Sequence, residues 1–243
     1  MSNYTIVTVA NKIPHEWYYV FHEFFKSLQG VQPLVLGVNP GEYGGLGSKP
    51  RLLHKAIKEK QIETKYIIFC DCFDIVFAVH PDELFDNYLS YKSPFVISAE
   101  KNCFPDTLRA EYDALLPEEN SPYKYLNSGM ICAETEAMLK VLEDIDAPNI
   151  PNDYWSPEKN CMINPNDQEY YQQSFLRQPV PMQLDYIQIL CNTLHSVELE
   201  ELDFSGERIY NTVTDTYPCS FHLNGNAKSG PCREPILKHL NLI

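Results

Sequence analysis

Tyr66-Ile67-Ile68-Phe69-Cys70-Asp71-Cys72-Phe73-Asp74 is the stretch whose reading decides the fold. Its first five residues are apolar without alternation, which suits a strand covered on both faces, as in a parallel sheet sandwiched by helices. Working outward, Tyr4 to Val9 and Pro33 to Leu36 read as further strands. Glu16 to Leu28 carries Trp17, Val20, Phe21, Phe24, Phe25 and Leu28 at helical spacing. Arg51 to Lys60 reads as a helix, and so does Pro81 to Tyr91, with its proline in the first turn. Phe95 to Ala99 is the next strand. This alternation predicts an α/β fold with a central, largely parallel mixed sheet flanked by helices.

The second half is less regular. Glu134 to Glu143 and Glu169 to Phe175 read as helices, and Asp146 to Asn166, rich in Pro and Asn, reads as a long loop. Short strands are expected near Gln183–Leu190 and Ser220–Leu223, followed by a tail. With no repeat and no linker, residues 1–243 are expected to form a single domain.

Composition narrows the function. Acidic residues outnumber basic ones 33 to 19, a formal charge of −14, which disfavours general nucleic-acid binding through a basic face. An apolar fraction of 44% is too high for a disordered acidic chain. No apolar run approaches the roughly 20 residues that span a bilayer, so no membrane association is expected. Met1-Ser2-Asn3-Tyr4 has no basic leader character and runs straight into a strand. The eight cysteines are scattered, and Cys70 and Cys72 have neither zinc nor redox spacing. They read as small buried apolar residues of a reducing compartment, and the expected location is cytoplasmic.

Asp71 stands directly at the end of the apolar strand, where open α/β sheets bind ligands. Asp71 and Asp74 can converge on one hard divalent cation. Equally, one could cap the next helix while the other is solvated. Other polar groups follow at strand ends and turns: Ser98-Ala99-Glu100, then Cys103-Phe104-Pro105; Leu126-Asn127-Ser128-Gly129; Asn166-Asp167-Gln168; and His222-Leu223-Asn224-Gly225-Asn226-Ala227-Lys228.

In this order these motifs resemble the glycosyltransferase domain of the procollagen lysyl hydroxylase family and its standalone viral and bacterial relatives. The resemblance covers nearly the whole chain, from Val7 to Lys228. It implies a GT-A type nucleotide-sugar-binding fold and a metal-dependent transfer of a hexose, glucose or galactose favoured, from a UDP-sugar to a hydroxyl acceptor, with retention. Position by position, it implies Asp71, Asp74 and His222 as metal ligands. A nitrogen beside two carboxylates favours Mn²⁺, with Mg²⁺ as the alternative. It implies Thr8 and Phe73 beside the nucleoside, and Asn224, Gly225 and Lys228 at the diphosphate, where glycine permits close backbone approach and lysine supplies a point charge. Lys49 ends a glycine loop, Gly44 to Ser48, similar to one that closes over the donor. Asn127, Asn166, Asp167 and Gln168 form the sugar-facing group, with Asp167, Asn127 and Gln168 as catalytic candidates.

Three departures from the family pattern stand out, the first being Met130 where a second glycine is common after Gly129. The acidic run before Gln168 is shortened to Asp167, and Phe104 stands where relatives carry tryptophan. Two other readings share the scaffold: a phage enzyme acting on a hydroxylated DNA base, which salt-sensitive DNA binding would reveal, and a silent sugar- or nucleotide-binding module, which would release no UDP.

Overall fold

The computed structural model describes residues 3–10, 20–115 and 121–243. Its elements are β1 (Tyr4–Val9), α1 (Phe21–Ser27), β2 (Leu34–Leu36), α2 (Ser48–Lys58), β3 (Tyr66–Cys70), β4 (Ile75–Phe77), α3 (Pro81–Ser90), β5 (Phe95–Glu100), α4 (Arg109–Leu115), β6 (Tyr125–Glu134), α5 (Thr135–Asp144), β7 (Tyr154–Ser156), β8 (Cys161–Ile163), α6 (Asp167–Arg177), β9 (Met182–Asp185), β10 (Asn192–Thr193), β11 (Leu202–Asp203), β12 (Tyr210–Asn211), β13 (Ser220–His222) and α7 (Arg233–His239). The main sheet runs in the order β2-β1-β3-β6-β5-β9. Strand β1 is parallel to β2 and β3, and β5 is parallel to β9, whereas β6 runs against both of its neighbours.

Alternate side chains of the apolar strands enter different cores. Val7, Ile67, Phe69 and Ile97 pack in one cluster with Leu52, Leu53, Val141 and Leu142 of α2 and α5. Ile6, Ile68, Cys70 and Val96 pack in the other with Phe24 of α1 and Leu84 and Tyr88 of α3. A strand alternates its side chains across the sheet, so an unbroken apolar run is what two covered faces require.

Besides the short elements β4, α4 and β10 to β12, which the sequence reading did not include, four segments differ from expectation. Strand β6, the longest at ten residues, is buried over its first nine. Its Asn127-Ser128-Gly129 interrupts the apolar pattern that would mark such a strand. The Asp146–Asn166 stretch holds the β7/β8 hairpin. The segment near Gln183–Leu190 is a strand only as far as Asp185. There the chain turns around the buried carboxylate, which accepts from the backbone N–H groups of Ile189, Leu190 and Cys191 at 2.9–3.0 Å. The C-terminal stretch forms helix α7. Of the expected helix from Glu16, the part before Val20 lies outside the described residues. Seven of the eight cysteines are buried thiols, Cys161 being exposed. No helix among the described residues is long and apolar enough to cross a membrane.

Candidate functional site

The site is assembled by pairing. In a second sheet, ordered β10-β13-β4, the antiparallel register sets His222 opposite Ile75, one residue beyond Asp74. The Leu223 N–H donates to the Asp74 carbonyl at 2.7 Å and locks that register. Asp71 leaves the end of β3, and its N–H donates to the Gly129 carbonyl on β6 at 2.9 Å. Asn166 caps α6 by accepting from the Gln168 N–H at 3.0 Å, so Asp167 and Gln168 occupy the helix's first turn, where a carboxylate is favoured.

Ten of the expected site residues line one cavity of about 710 Å³: Lys49, Asp71, Asp74, Asn127, Asp167, Gln168, His222, Asn224, Gly225 and Lys228. Asn166 joins them, and Phe104, Asp106 and Arg109 line it as well. Thr8 and Phe73 are not among the lining residues. Thr8 is fully buried on β1, and its hydroxyl makes no hydrogen bond to the described residues. The ring of Phe73 stacks on Phe21, centroids 5.5 Å apart.

Donor atoms of Asp71, Asp74 and His222 lie within 4.8 Å of one another. Their chemistry suits a divalent cation, and a hydrogen-bond chain shows why. Asn127 Oδ1 accepts from the Gly129 backbone N–H at 3.0 Å, which fixes the orientation of its amide. His222 Nδ1 faces the same oxygen at 3.0 Å and must therefore donate to it. In the neutral ring Nε2 then carries a lone pair, and it stands 3.3 Å from Asp74 Oδ1. That oxygen is buried without an aligned hydrogen bond. Two acceptors facing each other leave a gap for one positive charge, a metal ion or a second ring proton. Burial opposes ionisation of Asp74, yet the charges of His222 and Lys228 hold its carboxyl well below the usual range. Lys228 Nζ lies 2.9 Å from Asp74 Oδ2.

Asp71 is held differently. Burial pushes its carboxyl up, and Lys49, 2.8 Å from Oδ1, opposes that rise. Lys49 also approaches Asp167 Oδ2 at 3.5 Å. Burial works against the ammonium, but Asp167 and Asp71 outweigh it and keep Lys49 charged far above the usual lysine range. Asp167 Oδ2 accepts in addition from Ser128 Oγ at 3.1 Å.

One central residue was quoted in its motif, Ser98-Ala99-Glu100, but given no role from sequence. Glu100, at the end of β5, is 3% exposed and ties the cavity floor together. Its Oε1 accepts from Asn127 Nδ2 at 3.2 Å and from Gln168 Nε2 at 2.8 Å, and its Oε2 accepts from Asn224 Nδ2 at 3.0 Å. Burial raises its carboxyl, and the Asn127 and Gln168 hydrogen bonds counter the rise. The amides it holds are occupied at their other ends. Gln168 Oε1 accepts from the Ser128 N–H, and Asn224 Oδ1 accepts from the N–H groups of Leu194 and His195. The available signal was an acidic residue closing a strand of otherwise small and apolar residues.

Glycine also acquires a specific meaning. A Cβ on Gly129 would stand 2.2 Å from His222 Cε1, so the missing side chain is what admits the imidazole. Gly225, at φ +57°, likewise makes room for His195, whose Nδ1 would lie 2.4 Å from a Cβ there. Gly225 lines the cavity, with the His195 ring beside it.

A mixed, helix-flanked sheet ending in an acidic, metal-suited cavity is the architecture of a GT-A glycosyltransferase. Mouse xyloside xylosyltransferase 1 in its apo form shares the fold, with a TM-score of 0.54, 13% identity, and coverage of 92% of this chain and 98% of that one. The chain belongs to the PLOD GT domain family, whose model matches residues 1–230. It is 30% identical over 247 residues to procollagen-lysine,2-oxoglutarate 5-dioxygenase 1 of Rattus norvegicus, covering 93% of this chain and 31% of that protein. It is 29% identical over 193 residues to the rat multifunctional procollagen lysine hydroxylase and glycosyltransferase LH3, covering 76% of this chain and 24% of that protein. The chain thus spans about a third or less of these relatives.

Proposed function

We propose that this chain is a metal-dependent glycosyltransferase that moves a hexose, glucose or galactose favoured, from a UDP-sugar to a hydroxyl acceptor with retention, residues 1–243 acting as one unit. The observation that carries this reading is the facing pair of acceptors, Asp74 Oδ1 and His222 Nε2, with Asp71 beside them. Asp71, Asp74 and His222 would hold the ion, and the imidazole favours Mn²⁺ over Mg²⁺. A bound divalent cation supplies electrostatic stabilisation to a departing diphosphate.

The remaining roles belong to the chain's own side chains. Asp167 is the carboxylate placed to contact donor hydroxyls, with Ser128 and Lys49 fixing its Oδ2. Asn127, Gln168 and Asn224 act as positioning residues, because their amides are already committed to Glu100, His222 and the backbone. Lys228 neutralises Asp74 and stands ready for the diphosphate. Phe104, 62% exposed in the cavity lining, offers a flat apolar surface to an acceptor. Thr8 and Phe73 remain the proposed nucleoside contacts on the strength of the resemblance alone. The buried thiols support a reducing, cytoplasmic setting.

Calorimetric titration with UDP tests the core of this reading. Mn²⁺ should raise UDP affinity at least tenfold in the native chain, and an Asp71→Asn, Asp74→Asn double variant should lose that enhancement. Equal enhancement in the variant would dismiss the metal bridge. A screen of UDP-sugars for UDP release then separates an enzyme from a silent binding module.

A further inference from the structure

Two histidines line the cavity, and each sits against a glycine: His222 on Gly129 and His195 on Gly225. His195 has no role so far. Its backbone N–H is anchored to Asn224 Oδ1 at 3.0 Å. The backbone N–H of Asn226 donates to its Nδ1 at 3.3 Å. A backbone N–H can only donate, so Nδ1 carries the lone pair. Asn226 Oδ1 stands 2.8 Å from the same nitrogen, so with the lone pair there the Asn226 amide is assigned in the reversed orientation, its N–H₂ end toward the ring. The ring proton then resides on Nε2, the nitrogen turned away from Gly225 and Asn226. His222 has the opposite tautomer, its proton on Nδ1 and its lone pair on Nε2.

The charges around the cavity give this proton a use. Each cationic side chain in the lining is already paired with a carboxylate: Lys49 with Asp71, Lys228 with Asp74, and Arg109 with Asp106. His195 Nε2–H has no such commitment among the described residues. On a chain of charge −14, an uncommitted donor is what an incoming anion needs.

We propose that His195 donates a hydrogen bond from Nε2 to a phosphate oxygen of the nucleotide diphosphate, so that the two histidines divide the donor complex: His222 for the cation, His195 for the anion. This rests on the glycosyltransferase reading above.

Titration of the full chain with UDP and with uridine, both in Mn²⁺, tests it. His195→Phe keeps the ring volume and removes the N–H. It should weaken UDP binding about tenfold or more, the loss of one hydrogen bond to a charged group, and leave uridine and nucleotide-free Mn²⁺ affinity unchanged. His195→Gln should recover part of the loss. UDP binding at native affinity in His195→Phe overturns the inference while leaving the parent reading intact, and an equal loss for uridine overturns it as well. A native chain that ignores UDP removes the parent reading itself. Nitrogen-15 spectra of the native chain give a readout that needs no variant. The His195 proton should be on Nε2, and that resonance should move with UDP but not with uridine. A proton on Nδ1, or an unmoved resonance on UDP binding, refutes the proposal.

Discussion

Strands β3 and β6 lie side by side in one sheet, equally hidden from water, and are held there by different forces. Strand β3 is Tyr-Ile-Ile-Phe-Cys, and its stabilisation is the transfer of apolar side chains into two cores. Strand β6 begins Tyr-Leu-Asn-Ser-Gly, and its buried polar groups persist because Glu100, His222, Asp167 and Gln168 satisfy them. Damage to the first strand should therefore be felt as lost stability. Damage to the second should be felt also as lost geometry at the cavity.

Phe69→Ala on β3 is the largest stability test. Truncating this 1%-exposed ring should cost about 3–5 kcal/mol in denaturant unfolding. Mn²⁺ affinity of the molecules that remain folded should not change. Asn127→Ala on β6 should cost about 2 kcal/mol, because the Gly129 N–H and the His222 Nδ1–H lose their acceptor inside the protein. It should also lower Mn²⁺ affinity about 10–100-fold, as loss of a ligand's orienting partner does. Equal Mn²⁺ affinity in the two variants would break the comparison.

Glu100→Gln sharpens it through pH. A carboxyl raised by burial binds its proton more tightly folded than unfolded. Native stability should therefore fall as pH rises from the unfolded value, about 4.3, through the raised folded one. The variant should lack that decline, so stability curves of the two proteins should diverge across this window. At neutral pH we expect a difference of about 1 kcal/mol. Trp155→Ala, on the hairpin and 55% exposed, should move stability by less than about 0.5 kcal/mol and leave Mn²⁺ affinity unchanged. It marks the floor against which the other effects are measured.

The same contrast governs what could be read from the sequence. Strands β1 and β3 were legible residue for residue, because hydrophobic periodicity records burial directly. Strand β6 was legible only as a motif, since its polar residues are compatible with burial only once partners from three other segments are known. Asp71 and Asp74 follow from their place after an apolar strand. His222 stands beside them only through the pairing of β13 with β4, which no local pattern announces. It was found through the family resemblance. Glu100 was noticed in its motif but its role was not, because that role lies in three amides distant in sequence. The hairpin within 146–166 escaped because Pro and Asn dominate the stretch, while its strands are only three residues long.

The β13–β4 pairing has a consequence for synthesis. Asn224 reaches Glu100 across 124 residues of sequence, and His222 reaches Asn127 across 95. At ordinary translation rates of about 5–20 residues per second, Glu100 leaves the ribosome on the order of ten seconds before Asn224 can hold it. During that interval the acidic end of the sheet has neither His222 nor Lys228 to balance it. The cavity is therefore completed last, when β13 docks, and Asp71, Asp74 and His222 stand together only from that moment.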